Sequence, residues 1–171
     1  MPTQLFLVRH GETDMSYLQK HPLQNRDVSL NQNGVNQIEK VSLYLQDKHL
    51  KKVVSDNTLR TLQTSRIIGD LQIPPISKIE IEPRLTNKES TSNIKKNIIN
   101  LLKIIEDEDT NSNICWICHG KIIKVIYYLI EYSQFPKEIS KLSWCYYGSI
   151  HCLEFNNGTW NTKYWGKKIE D

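Results

Sequence analysis

The sequence predicts an α/β fold, arranged as a three-layer α/β/α sandwich around a mostly parallel central sheet. Three short apolar runs, at residues 5–8, 52–55 and 114–118, have the length and composition of buried strands. Each run ends in a polar turn and is followed by a stretch with apolar residues at helical spacing, an order typical of parallel sheets covered by helices. Because 171 residues suffice for one core, we expect a single domain over residues 1–171.

The first half of the chain is predicted to hold two strands and two helices. The strand at residues 5–8 gives way to a turn that begins at Arg9. Between residues 31 and 48, apolar residues recur at the spacing of a helix, at Val35, Ile38, Val41 and Leu45. The strand at residues 52–55 precedes a second helix, which Asp56 or Asn57 can cap and which continues to about Asp70.

The second half is predicted to end in a hairpin after a further alternation of strands and helices. Helices are expected at residues 92–107 and directly after Gly120, and strands at residues 79–82, 114–118, 149–155 and 159–165. Asn157 and Gly158 join the last two strands and are a strong hairpin signal.

Composition and charge exclude several classes of protein. Apolar residues make up 39% of the chain and charged residues 24%, as in soluble globular proteins, and no apolar window is long enough to cross a membrane. The 22 Lys and Arg against 19 Asp and Glu give a net charge of +3 that is spread along the chain, which does not indicate nucleic-acid binding. The N-terminal apolar run is too short for a signal peptide, so we expect a cytoplasmic protein whose four cysteines are free thiols.

The strongest functional signal is the string Arg9-His10-Gly11-Glu12-Thr13, which lies where the first strand gives way to a turn. A strand end of this kind puts an imidazole and a guanidinium at the edge of the sheet, beside flexible backbone. An Arg-His pair alone is more often a solvated strand end, but the longer string at residues 7–13 narrows the interpretation. It resembles the signature of the histidine phosphatase superfamily, which includes cofactor-dependent phosphoglycerate mutases and many small phosphatases.

Three further landmarks of that family follow in the same order along the chain. Residues 27–34 resemble its Asp-x-Pro-Leu-Thr…Gly segment, with two substitutions. Residues 55–64 are similar to its second phosphate-binding segment, and residues 117–120 resemble its late apolar strand that ends in His-Gly. The resemblance covers residues 5 to about 165 and implies the phosphoglycerate mutase-like fold.

The resemblance also implies a reaction without metal or cofactor, in which His10 takes a phosphoryl group from the substrate and passes it to water. Arg9 and Arg60 would clamp the phosphate, because a planar guanidinium binds two oxygens at once. His119 would donate to the same oxygens as charge redistributes in the transition state. Further contacts with the phosphate or the substrate are expected from Gly11, Ser16 and Gly120.

The segment that carries the family's general acid departs from the pattern. Phosphomonoesterases of this family usually have a glutamate two residues after a leucine, but two residues after Leu85 this chain has Asn87, which cannot donate a proton as an acid does. Glu89 lies two residues further on and is our candidate for the acid, although a solvated loop carboxylate explains it equally well. Glu12 is a weaker second candidate.

Together these residues predict a phosphatase that hydrolyses a phosphate monoester of a small metabolite through a phosphohistidine intermediate on His10. Two alternatives stay open: a phosphohistidine protein phosphatase with the same pocket, and a phosphate-binding module that has lost turnover. The expected partner is therefore a phosphorylated small molecule or a phosphoprotein, and neither nucleic acid nor a membrane. The short stretch between Glu89 and Cys115 leaves little material for a lid, so we expect an open site that is ill suited to a mutase.

Other patterns compete for some of the same residues. Cys115, Cys118 and His119 fit the Cys-x-x-Cys-His pattern of covalent haem attachment, and the two cysteines could form half of a zinc site. Cys145 and Cys152 lack the paired spacing that would complete such a site, and cysteines in a buried strand are more often small apolar packing residues. The aromatic residues between positions 144 and 165 could stack a substrate or bind a partner, but they more often pack a terminal hairpin.

Overall fold

The computed structural model describes residues 2–14, 27–108, 111–132 and 144–170 of the chain. Within them, the strands are β1 (Thr3–Arg9), β2 (Leu50–Ser55), β3 (Glu80–Ile81), β4 (Asn113–Cys118), β5 (Ile150–Asn156) and β6 (Thr159–Lys167). The helices are α1 (Gln32–Gln46), α2 (Leu59–Asp70), α3 (Thr91–Glu108) and α4 (Gly120–Glu131).

The six described strands form one sheet in the order β3-β2-β4-β1-β5-β6. The first four strands in this order are parallel to one another, while β5 is antiparallel to both β1 and β6. Parallel strands are covered on both faces, which explains why β1 and β4 are almost continuously apolar. The β5–β6 hairpin turns at Asn157 and Gly158, which adopt the positive φ angles of 51° and 76° that such a turn requires.

Helices cover both faces of the sheet, which confirms the predicted three-layer arrangement. Side chains of β1 alternate between the faces, because successive residues of a strand point in opposite directions. Leu5 and Leu7 pack in one apolar cluster with α3 and α4, whereas Phe6 and Val8 pack in the other with α1 and α2. No helix in the described ranges is both long enough and apolar enough to span a membrane.

Two local predictions need correction. The strand predicted at residues 79–82 is only two residues long, because only Glu80–Ile81 pairs with β2. The N-cap of α2 is Thr58, and its side chain makes no capping hydrogen bond. Asp56, which we expected to cap this helix, instead directs its carboxylate to His119.

The sheet order determines where the functional residues meet. Strands β2, β4 and β1 are neighbours and parallel, so their carboxyl ends lie at one edge of the sheet. Asp56, His119 and His10 each follow directly after one of these ends. Ligand sites of open α/β sheets form at such an edge.

Candidate active site

His10 occupies the centre of this edge, with only 6% of its surface exposed. Its backbone N–H donates to the carbonyl of Cys118, 3.1 Å away, which ties the end of β1 to the end of β4. The ring atom Nδ1 lies 2.9 Å from the carbonyl oxygen of Gly11. A carbonyl only accepts hydrogen bonds, so Nδ1 carries the proton and Nε2 keeps a free electron pair.

The surroundings of His10 keep its ring neutral. Burial is the main cause that lowers the pKa of His10 to about 3, and the hydrogen bond to Gly11 partly opposes this effect. The electrostatic effects of His119, Arg60 and Arg9 lower the pKa further. At neutral pH the ring is therefore an uncharged imidazole, which is the form that can attack phosphorus.

The loop after His10 is held against α1 by two glycines. A Cβ atom at Gly11 would lie 2.5 Å from the carbonyl oxygen of Gly34, and one at Gly34 would lie 2.1 Å from the carbonyl oxygen of Glu12. Any side chain at either position would therefore push the loop away from the helix. The N–H of Gly11 also donates to Thr64 Oγ1 on α2, 3.3 Å away.

Glu12, our weaker candidate for a proton donor, is part of this scaffold. Its carboxylate accepts a hydrogen bond of 2.8 Å from Asn31 Nδ2, and its backbone N–H donates to Gln37 Oε1 at 3.0 Å. Asn31 is the N-cap of α1, where its side-chain oxygen accepts from the N–H of Gly34. These contacts give Glu12 a role in holding the loop on the helix.

Arg9 is fixed by residues from the far end of the chain. Its Nη1 donates to the carbonyl of Cys145 at 2.6 Å, and its Cζ lies 3.9 Å from the centre of the Tyr147 ring. Its Nε–H is buried and has no hydrogen-bond partner, so part of the donor capacity of the guanidinium is uncommitted. The Tyr147 ring also lies 5.5 Å from the ring of His10 and so borders both residues.

Arg60 and His119 meet close to His10. Arg60 Nη2 lies 3.3 Å from His119 Nδ1, and the rings of His10 and His119 are 5.3 Å apart between centres. His119 is 2% exposed, and its Nε2 lies 2.9 Å from Asp56 Oδ2. The four residues predicted to handle phosphate are thus brought together around one position.

The N-terminal end of α4 lies beside these four residues. Gly120 is the first residue of the helix, and a Cβ atom there would lie 3.5 Å from Arg9 Nε. The first N–H groups of a helix have no partner within it and favour an anion. Ser16, which we also expected to contact phosphate, lies outside the described residues, so that contact stays a prediction.

The segment expected to supply an acid lies beside the start of α4. Lys121 Nζ donates to the backbone carbonyl of Glu89 at 2.7 Å. Lys121 lies two residues after His119 in the chain, so this bond ties the loop to the segment that bears His119. The Glu89 carboxylate is exposed and accepts a hydrogen bond of 3.1 Å from Asn93 Nδ2. Asn87 is half-buried. In the part of the chain that the structure describes, neither side chain forms a hydrogen bond with His10.

An open groove of about 450 Å³ lies next to the loop that follows His10. Its lining includes Glu12, Gln37, Lys40, Tyr147 and Lys168. Tyr147 and Glu12 therefore connect the groove to the neighbourhood of His10, and polar side chains of α1 form much of its wall.

The cysteine pattern does not produce a haem or zinc site. Cys115 and Cys118 are fully buried in β4, where burial raises the pKa of both thiols above the usual range. They belong to the two different apolar clusters and thus pack on opposite faces of the sheet. Among the described residues, no group of three or more His, Cys, Asp and Glu side chains is arranged to hold a metal ion.

Two residues that shape the site, Asp56 and Tyr147, are not among the predicted site residues. The sequence suggests a helix cap at Asp56, and Tyr147 is one of several aromatic residues between positions 144 and 165. The signal for Asp56 was its place directly after a predicted strand, where the carboxyl ends of parallel strands converge. Nothing in the local sequence distinguishes Tyr147, because its contact with Arg9 depends on β5 pairing with β1.

Chemically, the arrangement combines a neutral imidazole with several groups that can donate hydrogen bonds to an anion. The rings of His10 and His119 are 5.3 Å apart between centres, and Arg60 and Arg9 are near enough to lower the pKa of His10 beyond the effect of its burial. Guanidinium groups bind the oxygens of phosphate in pairs, and donors fixed in advance stabilise charge without reorganising during the reaction.

The chain matches known proteins in family pattern and in fold. The model of the histidine phosphatase superfamily (branch 1) matches residues 5–88 and 76–168. None of the curated protein sequences compared with the chain matches it significantly.

Several solved structures share the fold. YhfR from Bacillus stearothermophilus is 17% identical with a TM-score of 0.81, over 96% of this chain and 97% of that one. A phosphoglycerate mutase from Bacillus anthracis is 15% identical with a TM-score of 0.77, over 97% and 93% of the two chains. A phosphoserine phosphatase variant from Entamoeba histolytica, solved with phosphoserine, is 18% identical with a TM-score of 0.75, over 96% and 97%. These similarities confirm the predicted fold.

Proposed function

The chain belongs to the histidine phosphatase superfamily, and on that premise we propose that it hydrolyses a phosphate monoester of a small metabolite, using His10 as the nucleophile. The observation that carries the proposal is the hydrogen bond from His10 Nδ1 to Gly11, which leaves Nε2 free to attack. Mutases and phosphatases both occur among the structural neighbours, and a phosphatase-type activity is what the family supports.

In the first step, His10 Nε2 forms a bond to phosphorus while the bond to the leaving oxygen breaks. That oxygen takes a proton from the candidate acid Glu89, which regains a proton when water attacks in the second step. Arg9 and Arg60 hold the phosphoryl oxygens, and His119 donates to them as the transition state spreads charge over these atoms. In the second step, water attacks the phosphohistidine, inorganic phosphate leaves, and His10 recovers its neutral ring. No step in this scheme requires a metal ion.

One observation favours a second candidate, a phosphohistidine protein phosphatase. Asn87 occupies the position where the family's phosphomonoesterases usually have a carboxylate, and the Glu89 carboxylate is exposed and bonded to Asn93. An alkoxide leaves poorly without a proton donor, whereas the imidazole of a phosphohistidine is accommodated more readily. The open site that we expect from the sequence would also admit a protein substrate.

The test compares a chromogenic phosphate ester and a phosphohistidine peptide as substrates. We expect the wild type to hydrolyse at least one of them, with a labelled phosphoryl group trapped on the enzyme in an acid-labile form. His10→Ala should lower the rate about a thousandfold or more, because it removes the nucleophile. His49→Ala, a change at an exposed histidine away from the site, is the control.

Two outcomes would contradict the proposal. Equal rates for the wild type and His10→Ala would remove the catalytic role of His10, and loss of activity in a chelator would contradict the metal-free scheme. The ratio of the two substrate rates decides between ester hydrolysis and phosphohistidine hydrolysis.

A further inference from the structure

The His119 ring lies between two groups of opposite hydrogen-bonding type, a carboxylate that accepts and a guanidinium that donates. Asp56 Oδ2 lies 2.9 Å from Nε2, and Arg60 Nη2 lies 3.3 Å from Nδ1. Asp56 is completely buried at the end of β2, and His119 follows directly after β4. The two ends of the imidazole therefore contact different elements of the fold.

Asp56 can only accept a hydrogen bond from His119, because its carboxylate is held in the ionised form. Its Oδ1 accepts from the N–H of Thr58 at 3.2 Å, from Thr58 Oγ1 at 2.9 Å and from the hydroxyl of Thr61. Burial acts to raise the pKa of Asp56, but the hydrogen bond and the electrostatic effect of His119, together with the hydrogen bonds from Thr61 and Thr58, outweigh it and lower the pKa to about 2. The proton on the His119 ring therefore lies on Nε2.

Arg60 makes the complementary demand, since a guanidinium donates hydrogen bonds and never accepts them. His119 Nδ1 must then accept from Arg60 when the pocket holds no phosphate. A phosphoryl oxygen is also an acceptor, so it cannot bind the same nitrogen unless that nitrogen gains a proton. Phosphate binding thus changes Nδ1 of His119 from a hydrogen-bond acceptor to a hydrogen-bond donor.

We propose that Asp56 is a positioning residue that keeps the Nε2 proton of His119 and turns Nδ1 towards the phosphoryl group, so that oxyanion binding takes up one proton at Nδ1. The proton comes from solvent and returns to it when phosphate leaves. With both nitrogens protonated, His119 carries a positive charge that Asp56 balances and that the bound oxyanion attracts. This inference rests on the proposed function only in assuming that the pocket binds phosphate.

Within the described part of the chain, three elements besides its own bring a titratable or charged group to the His119 ring. Asp56 comes from the end of β2, Arg60 from α2, and His10 from the end of β1, with 5.3 Å between the two ring centres. His10 stays neutral at neutral pH because burial lowers its pKa. A proton taken up by the site therefore goes to His119.

The first test reads the tautomer of His119 directly by nitrogen-15 NMR of the ring, in protein without added oxyanion at mildly alkaline pH. We expect a protonated Nε2 in the wild type. In Asp56→Asn, the hydrogen bond from the Thr58 N–H keeps the amide oxygen in place, so the NH₂ group faces Nε2 and competes with Arg60 at Nδ1 for the ring's acceptor nitrogen. The fraction of rings protonated at Nε2 should therefore fall. Asp70→Asn, which removes an exposed carboxylate, should leave the tautomer unchanged.

The second test measures proton uptake when sulfate binds, by calorimetry in two buffers that differ in ionisation enthalpy. Sulfate resembles phosphate but does not titrate near neutral pH. We expect about one proton per sulfate in the wild type and clearly less in Asp56→Asn, which lacks the carboxylate that balances a charged His119 ring. Binding without proton uptake in the wild type, or an unchanged tautomer in the variant, would overturn the proposal. Neither readout requires turnover, so a failure of the proposed phosphatase activity would be seen separately.

Discussion

At the scale of single residues, His10 and His119 have the same side chain but different hydrogen-bond partners. A backbone carbonyl fixes the proton of His10 on Nδ1, whereas a carboxylate fixes that of His119 on Nε2. The first histidine thus presents a free electron pair to the pocket, and the second presents the nitrogen beside Arg60. Two imidazoles can therefore divide the work of attack and anion stabilisation.

Glu89 provides the residue-scale prediction about proton donation. If Glu89 protonates the leaving oxygen, Glu89→Gln should lower kcat for an alkyl phosphate about 100-fold or more, because a general acid typically contributes roughly a hundredfold to ten-thousandfold. A phosphohistidine peptide should be affected much less, since its leaving group needs less help. We expect this pattern, with steady-state kinetics on both substrates as the measurement.

Glu39→Gln, at an exposed position of α1, is the matched control for that change. Unchanged ester hydrolysis in Glu89→Gln across the pH range would exclude Glu89 as the acid. In that case Asn87→Glu, which restores a carboxylate at the family's usual position, would become the more informative variant.

The candidate phosphate-binding residues could be predicted from the sequence, whereas the residues that hold them in place could not. Arg9, His10 and His119 lie in short strings whose residue types follow from phosphate chemistry. Asp56 and Tyr147 depend on contacts between segments far apart in the chain, and neither has a local pattern that distinguishes it from a cap or a packing residue. The sequence therefore identifies the candidate phosphate-binding groups, which the fold brings together, but not the residues that contact and orient them.

At the scale of elements, the close contact between α1 and the catalytic loop is the most exacting feature. The backbone of Glu12 lies where a side chain at Gly34 would begin. A glycine inside a helix costs about 1 kcal/mol relative to alanine, so its presence in α1 lowers helix stability. The position of the loop that bears His10 explains why this cost is accepted.

Gly34→Ala is therefore predicted to destabilise the protein even though alanine favours helices. We expect a net loss of about 1 to 3 kcal/mol in the free energy of unfolding, because the added Cβ would lie 2.1 Å from the carbonyl oxygen of Glu12. Activity should fall more than the population of folded protein, since the displaced loop carries the nucleophile. Urea unfolding and kinetics on the same samples measure both effects.

Glu39→Ala, which adds the same residue at an exposed position of α1, should be close to neutral in both measurements. A Gly34→Ala protein that is more stable than the wild type would show that the loop and helix are not in the close contact described.

Helices were predicted more accurately than strands, because α1 and α4 have long apolar stripes while β3 is held only by its two pairs with β2.

At the scale of the whole molecule, buried histidines make folding sensitive to acid. Burial lowers the pKa of both His10 and His151 from 6.5 to about 3. The N–H of Gly166 donates to His151 Nδ1 at 2.8 Å, which suits the neutral ring. Below pH 6.5 the unfolded chain therefore binds protons that the folded chain does not, and stability falls with pH.

We predict that the free energy of unfolding decreases as pH falls from 6.5 towards 3, by up to about 1.4 kcal/mol per pH unit for each of these two histidines. Asp56 adds a further loss below its ordinary pKa of 3.8, because its folded pKa is about 2. Urea unfolding at a series of pH values gives the slope. His10→Ala should remove one histidine's share of it, and a free energy that stays constant between pH 6.5 and about 5 would contradict the prediction.

The central position of β1 also determines when the pocket around His10 can form during synthesis of the chain. This strand is made early, but its two partners in the sheet are β4 and β5, and Arg9 bonds to the carbonyls of Ser149 and Cys145. Until those segments leave the ribosome, β1 has two unpaired edges, which are prone to aggregation. The contacts that hold Arg9 beside His10 can therefore form only after Cys145 and Ser149 have been synthesised.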